Sequence, residues 1–209
     1  MKLVIFDMDG TLIDSKKDIT TSINYVRKLN HNLEPLSEEF IVKAINMEVR
    51  NLPKMFYETD IYHKEDRDIF EAHYEKECVK HPYLYNGIRE TLYELSSNNI
   101  KLSVATNAPT KFAKRILEHL EVADMFGVII GADKVSASKP DPQMLYEIFN
   151  YYNFDIKNDF GWMVGDNSKD MQCAKNAGIR SLFATWGFSS NSIHDKTIHK
   201  PEEIISIVL

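Results

Sequence analysis

No apolar run in this 209-residue chain approaches the roughly 20 residues that a membrane-spanning helix needs, so a membrane protein of that kind is not expected. The first strand-like run is too short, and too soon followed by acids, to act as a signal peptide. Cysteine is scarce. Cys78 and Cys173 have neither metal-ligand nor redox spacing, and the expectation is two free thiols in a cytoplasmic protein. Positive charge is in deficit, with 25 Lys and Arg against 31 Asp and Glu, a net charge of −6 and a pI near 5.7. That balance argues against nucleic acid or an anionic membrane as the main partner. If the substrate is an anion, local cations must attract it. There is no internal repeat and no low-complexity segment. The 44% apolar and 27% charged composition is that of an ordinary soluble globular chain, long enough for one large domain or two modest ones.

What is present is concentrated at the start, in LVIFDMDGTLIDS. Residues 3–6 read as a buried strand that ends in Asp7, Asp9, Gly10 and Thr11. Two carboxylates at the mouth of one buried strand repel each other by about 4 kcal/mol at about 4 Å and an effective dielectric near 20. Folding alone rarely asks for that, so a cation or a chemical task is the natural explanation. Open α/β sheets bind their ligands at the carboxyl ends of their strands, where this pair would lie.

The pattern over 14–85 is helical, with Ile19, Ile23, Val26 and Leu29 marking one apolar face and Phe40, Ile41, Ala44 and Ile45 another. Pro35 and Pro53 punctuate it, and a further helix is expected over 65–79. From Asn86 the texture alternates: a helix over 87–97, strand KLSVATN, a helix opened by Pro109, strand GVIIGAD, a loop SKPDP, and a helix over 142–152. Strand GWMVGD, a helix over 169–176, a last clear strand at 180–185 and a helical tail from Pro201 complete the chain. Such alternation implies parallel pairing and right-handed crossovers. The expected fold is α/β, a doubly wound, mostly parallel, Rossmann-like sheet (1–13 and 86–209) with an inserted α-helical domain (14–85).

Four strand or loop ends then carry polar groups: Asp7 with Asp9, Thr106 with Asn107, Lys139, and Asp166 with Asp170. Carboxylates, a lysine and a hydroxyl donor form a kit for phosphoryl transfer, in which hard oxygen ligands select Mg²⁺ and a carboxylate serves as nucleophile. The segments DMDGTLIDS, SVATN, SKPDP and VGDNSKDM resemble, in order, the four motifs of the haloacid dehalogenase-like (HAD) phosphohydrolases. The insert resembles the small helical cap of their phosphoglycolate phosphatase-like branch, as do YNGIRETLYEL and ATWGF. The resemblance covers essentially the whole chain.

It implies that Asp7 is a nucleophile that becomes an aspartyl-phosphate, and that Asp9 is general acid and then general base. It implies that Gly10, Thr11, Thr106, Asn107 and Lys139 hold the phosphate, Lys139 bridging it to Asp7. Mg²⁺ would be held by Asp7, the Asp9 carbonyl, Asp166 and Asp170. The substrate would be a small phosphomonoester (phosphoglycolate-like, a sugar phosphate or a nucleotide) and the protein a monomer or weak homodimer.

Single residues have plainer readings: a loop lysine for Lys139, a helix cap or turn acid for Asp166. A calcium loop needs glycine where Leu12 stands. Receiver domains put their acids on different strands and lack a long insert. Asp9 favours ester hydrolysis over dehalogenation, which needs no proton for a leaving alkoxide. A phosphoryl-transferring mutase shares this core and stays open, as does a non-enzymatic regulatory protein on the same fold. In the insert, AINMEVRNLPKMF carries Asn46 where the branch usually has glycine. There Arg50 is the candidate contact to a substrate carboxylate, and Phe56, Tyr57 and Tyr62 read as helix packing.

Overall fold

The computed structural model describes residues 1–47, 49–189 and 192–209. Glu48, inside the insert stretch quoted above, and Ser190 and Asn191 lie outside the described residues. The chain divides into two compact units, Met1–Asp14 with Tyr83–Leu209, and Ser15–Pro82.

The first unit is built on a six-stranded sheet. Its strands are β1 (Lys2–Phe6), β4 (Lys101–Thr106), β5 (Val128–Gly131), β6 (Phe160–Gly165), β7 (Arg180–Ala184) and β8 (Lys196–Ile198), in the order β5-β4-β1-β6-β7-β8. Every pairing is parallel. β1 is central, pairing Val4 with Leu102 on one side and with Trp162 on the other. Leu3, Val4, Ile5 and Phe6 are fully buried. Helices cover both faces of such a sheet, which is why a central strand reads as an unbroken apolar run. Each such side chain contributes about 1.5–3 kcal/mol of burial.

Leu3 and Ile5 pack with Met144, Leu145 and Ile148 of α7 (Gln143–Tyr152) and with Cys173 and Ala174 of α8 (Ser168–Ala177). α5 (Ile88–Ser97) and α6 (Thr110–His119) serve β4 and β5, and α9 (Glu203–Val208) packs on α5. The order reverses at β1. The chain moves outward through β4 and β5, then returns to β6 on the other side, so the carboxyl ends of β1 and β6 meet at the switch point where doubly wound sheets bind ligands.

The second unit contains α1 (Lys16–His31), α2 (Glu38–Asn46), α3 (Leu52–Tyr57) and α4 (Lys64–Glu77), around a core of Ile23, Val26, Ile41, Ala44, Phe56 and Tyr57. Ser37 caps α2 by accepting from the Phe40 N–H at 3.2 Å.

Several expectations are corrected. The ends of the 14–85 segment are not helical: β2 (Ile13–Asp14) and β3 (Tyr83–Leu84) form a two-stranded antiparallel ladder in the first unit. Strands that short carry no periodicity to read. β8 follows the strand expected to be last. Leu29 is 60% exposed and Phe40 39% exposed, so neither belongs to a buried face. In α1 the buried side is completed by Asp18, Ser22 and Arg27, which find polar partners. The Asp18 carboxylate accepts from the His81 N–H and pairs with its ring at 2.7 Å, Ser22 Oγ bonds His73 Nδ1, and Arg27 donates to the carbonyls of Glu34 and Phe56. Both cysteines are free and buried. No helix among the described residues is long and apolar enough to cross a membrane.

Candidate active site

Asp7 is the first residue past β1, and its N–H donates to the Val164 carbonyl at 2.8 Å, which fixes it beside β6. The chain then turns tightly. The N–H groups of Thr11, Leu12 and Ile13 all point at the Met8 carbonyl, and Gly10 N–H donates to Ile13 O. Gly10 has φ +86°, and a Cβ there would stand 2.5 Å from Asp166 Oδ2. Both the left-handed backbone and the close approach therefore demand glycine.

Asp166 follows β6, and Asp170 lies in the first turn of α8. There Asn167 and Asp170 form a capping box, Asp170 Oδ2 accepting from the Asn167 N–H at 3.1 Å. Lys139 comes from the loop between β5 and α7, next to a cis peptide bond to Pro140. Its backbone is gripped by Asn107, whose Oδ1 accepts from Lys139 N–H at 3.0 Å and whose Nδ2 donates to Lys139 O at 3.1 Å. Local turn chemistry thus aims each group, and the switch point brings them together.

Lys139 Nζ donates to Asp7 Oδ1 at 2.7 Å and to the Ala105 carbonyl at 2.6 Å, and lies 2.6 Å from Asp170 Oδ1. The Asp7, Asp166 and Asp170 carboxylates lie within 4.8 Å of one another. Exposure is 4% at Lys139, 1% at Asp166 and 2% at Asp170, so water screens little of their charge.

Burial alone would push the Lys139 ammonium down. Asp170 and Asp7 beside it outweigh that and hold it above its ordinary value, so it stays charged. Burial, then Asp7, raise both Asp166 and Asp170 above the carboxylate range, with Asp170 adding to the shift at Asp166 and Lys139 opposing it at Asp170.

The partners are distributed unevenly. Asp7 and Asp170 share Lys139, whereas among the described residues Asp166 takes neutral donors, Thr11 Oγ1–H at 3.2 Å and Phe188 N–H at 2.6 Å. Three carboxylates thus face one ammonium, a formal excess of two negative charges. A divalent cation fits this donor set, because every ligand offered is a hard oxygen and the uncompensated charge matches its own. Asp7, Asp166 and Asp170 are the residues that could hold it.

The remaining expected residues are placed as follows. Asp9 is half-buried at the turn, bridged through its backbone to Ile13. Thr106 closes β4, buried, with Oγ1 accepting from the Ala108 N–H at 3.1 Å. Arg50 belongs to the other unit, and its Nη1 donates to the carbonyls of Ile45 and Met47. Burial lowers its pKa, with Tyr62 opposing. Tyr57 is buried in the insert's core, whereas Tyr62 is 43% exposed and meets it edge to face.

Asn167, the Ala105 carbonyl and the segment 186–188 also touch the cluster; the motifs VGDNSKDM and ATWGF contain Asn167 and 186–188, but motif reading gave none of them a site role. An Asn three residues before Asp170 is a visible capping signal, whereas a backbone carbonyl leaves no trace in the sequence.

Comparison with known proteins follows the same lines. The family model described as haloacid dehalogenase-like hydrolase matches residues 4–184. A phosphoglycolate phosphatase of Aquifex aeolicus (strain VF5) is 30% identical over 210 residues, spanning 100% of this chain and 97% of that protein. An N-acetylmuramic acid 6-phosphate phosphatase of Pseudomonas putida is 29% identical over 195 residues, spanning 90% and 84%. The crystal structure of a predicted phosphoglycolate phosphatase from Haemophilus somnus 129PT matches with a TM-score of 0.85 and 26% identity, over 100% of this chain and 98% of that one.

Proposed function

The chain belongs to the haloacid dehalogenase-like hydrolases, and on that premise we propose that it is a Mg²⁺-dependent phosphatase that hydrolyses a small phosphomonoester through an aspartyl-phosphate on Asp7. The observation that carries this reading is the uneven pairing at the switch point. Lys139 engages the nucleophile candidate at 2.7 Å, while Asp166 is held by the neutral donors Thr11 and Phe188, which leaves its carboxylate for a cation.

In the reaction the Asp7 carboxylate oxygen attacks phosphorus, forming an O–P bond as the bond to the ester oxygen breaks. Asp9 delivers its proton to the departing alkoxide. Asp9, now a base, takes a proton from the water that attacks the aspartyl-phosphate, which releases inorganic phosphate and restores Asp7. Lys139 offsets the charge gathering on the phosphoryl oxygens, and its grip by Asn107 holds it in place without reorganisation. Gly10, Thr11, Thr106 and the Asn107 backbone complete the phosphate cradle. When bound by Asp7, Asp166, Asp170 and the Asp9 carbonyl, Mg²⁺ would supply further charge neutralisation for the transferring group.

The insert is read as a cap domain that selects the substrate. Arg50 uses Nη1 for its two carbonyls, and a guanidinium has further N–H donors suited to a carboxylate. Two free buried thiols support a reducing, cytoplasmic setting.

The test is phosphate release by the purified protein with and without Mg²⁺. The panel should hold phosphoglycolate, N-acetylmuramic acid 6-phosphate, sugar phosphates and nucleotides. Metal-dependent turnover with one strong preference is expected. A folded, Mg²⁺-loaded protein that releases phosphate from none of them refutes the reading.

A further inference from the structure

The loop after β7 makes contacts that the reaction scheme does not use. The Trp186 indole N–H donates to the Thr11 carbonyl at 3.0 Å. Two residues on, the Phe188 backbone N–H donates to Asp166 Oδ2 at 2.6 Å. Between them Gly187 passes so close that a Cβ there would stand 2.3 Å from Asp166 Cβ and 2.4 Å from the Gly10 carbonyl oxygen. Thr11 Oγ1 closes the circuit by donating to Asp166 Oδ1 at 3.2 Å. Nucleophile turn, acid and loop are thereby fastened in a ring of three hydrogen bonds around one glycine.

We propose that the 186–188 loop is a positioning element for Asp166, and that through this carboxylate it sets the protein's affinity for a divalent cation. The inference rests on the Mg²⁺-dependent reading above and extends it to residues that touch neither phosphate nor metal.

The physical case has three parts. A free aspartate must freeze its side-chain torsions when it takes a cation, and a carboxylate already held on both oxygens has less left to lose. The donors here are neutral, so they orient Asp166 without forming an ion pair that a cation would have to displace, in contrast to Lys139 at Asp7 and Asp170. An indole N–H is a donor with no acceptor role, so it can bind only the carbonyl side of the nucleophile turn. Glycine at 187 is required by proximity, since any side chain would push against Asp166 or the Gly10 carbonyl.

The test uses the full chain, stripped of metal, titrated calorimetrically with Mg²⁺ alone. Trp186→Phe keeps an aromatic ring and deletes the indole N–H, while Gly187→Ala forces the close approach apart. The expected result is saturable Mg²⁺ binding by the unaltered protein, about tenfold weaker in Trp186→Phe and weaker still in Gly187→Ala. The melting temperature of Trp186→Phe in EDTA should fall by no more than the loss of one hydrogen bond to a buried carbonyl implies, so the Mg²⁺ affinity is the deciding readout. If Gly187→Ala does not fold, Trp186→Phe carries the test alone. A merely structural Trp186 would lower the melting temperature in EDTA and leave Mg²⁺ affinity unchanged, which overturns the inference while the phosphatase reading stands. No Mg²⁺ binding by the unaltered protein overturns both.

Discussion

The two units bury charge in opposite ways. In the α/β unit, Asp7, Asp166 and Asp170 are gathered at one point with a single lysine among them. In the helical unit the buried charges are paired more evenly, although Asp18 and Glu77 both lie beside His81. Arg27 is spent on the carbonyls of Glu34 and Phe56, Asp66 on Asn30 and His31, and Asp18 on His81. The second arrangement gives most of the polar groups that packing has taken from water a partner, with Asp66 Oδ2 and Thr20 Oγ1 as exceptions. The first costs stability, which is how sites that bind cations and move charge differ from sites that only hold a fold together.

The sharpest way to break this contrast is at the nucleophile. Asp7→Asn should lower phosphate release by roughly a thousandfold or more, since an amide does not attack phosphorus, with the circular dichroism spectrum retained. Retention of activity would sink the mechanism. Lys139→Ala should leave Asp7 and Asp170 buried without their cation and cost about 3–5 kcal/mol in urea unfolding; a cost below 1 kcal/mol would mean the cluster is not the strained element described here.

Metal should relieve the same strain. At a Mg²⁺ concentration of about 100 times its Kd, the protein should gain about 2.7 kcal/mol, read as a raised melting temperature. The pH dependence of the metal-free protein should carry the matching sign. Burial and neighbouring carboxylates raise Asp166 and Asp170 in the folded state above the ordinary 3.8. Above that value the folded protein holds more protons than the unfolded chain, so stability falls as pH rises until the raised values are passed. Saturating Mg²⁺ should flatten that slope, and chemical unfolding at a series of pH values with EDTA or Mg²⁺ measures both.

On the helical side the effects should be smaller and confined to stability. Arg27→Ala should cost about 1–3 kcal/mol by leaving buried carbonyls unpaired, with kcat at saturating substrate changed less than twofold. Ser37→Ala should cost about 1 kcal/mol through the lost cap of α2. A large loss of kcat in either variant would erase the distinction between the two units.

How much of this could be read from the chain differs by region in the same way. LVIF and WMVG stand out because strands buried on both faces are unbroken runs without polar side chains, and Asp7 and Asp166 stand out because they interrupt those runs. In the helices the pattern was less faithful. Leu29 and Phe40 match the spacing but face solvent, while Asp18, Ser22 and Arg27 violate it and are buried. Spacing reports which residues share a face, whereas partners on α4 and in the neighbouring loops decide which face is inside. β2 and β3 left no signal because two residues cannot show a period of two, and their pairing joins chain positions far apart in sequence.

What the sequence determined by itself is therefore the order of strands and helices and the chemical kit carried at their ends, because both follow from local periodicity and residue type. Tertiary structure alone decided that the ends of β1 and β6 meet, that Lys139 serves Asp7 and Asp170 but leaves Asp166 to neutral donors, and that Trp186, Gly187 and Phe188 close around that carboxylate. Those contacts join segments distant in the chain through backbone groups and close approach, and neither has a residue-type signature until the sheet brings the segments together.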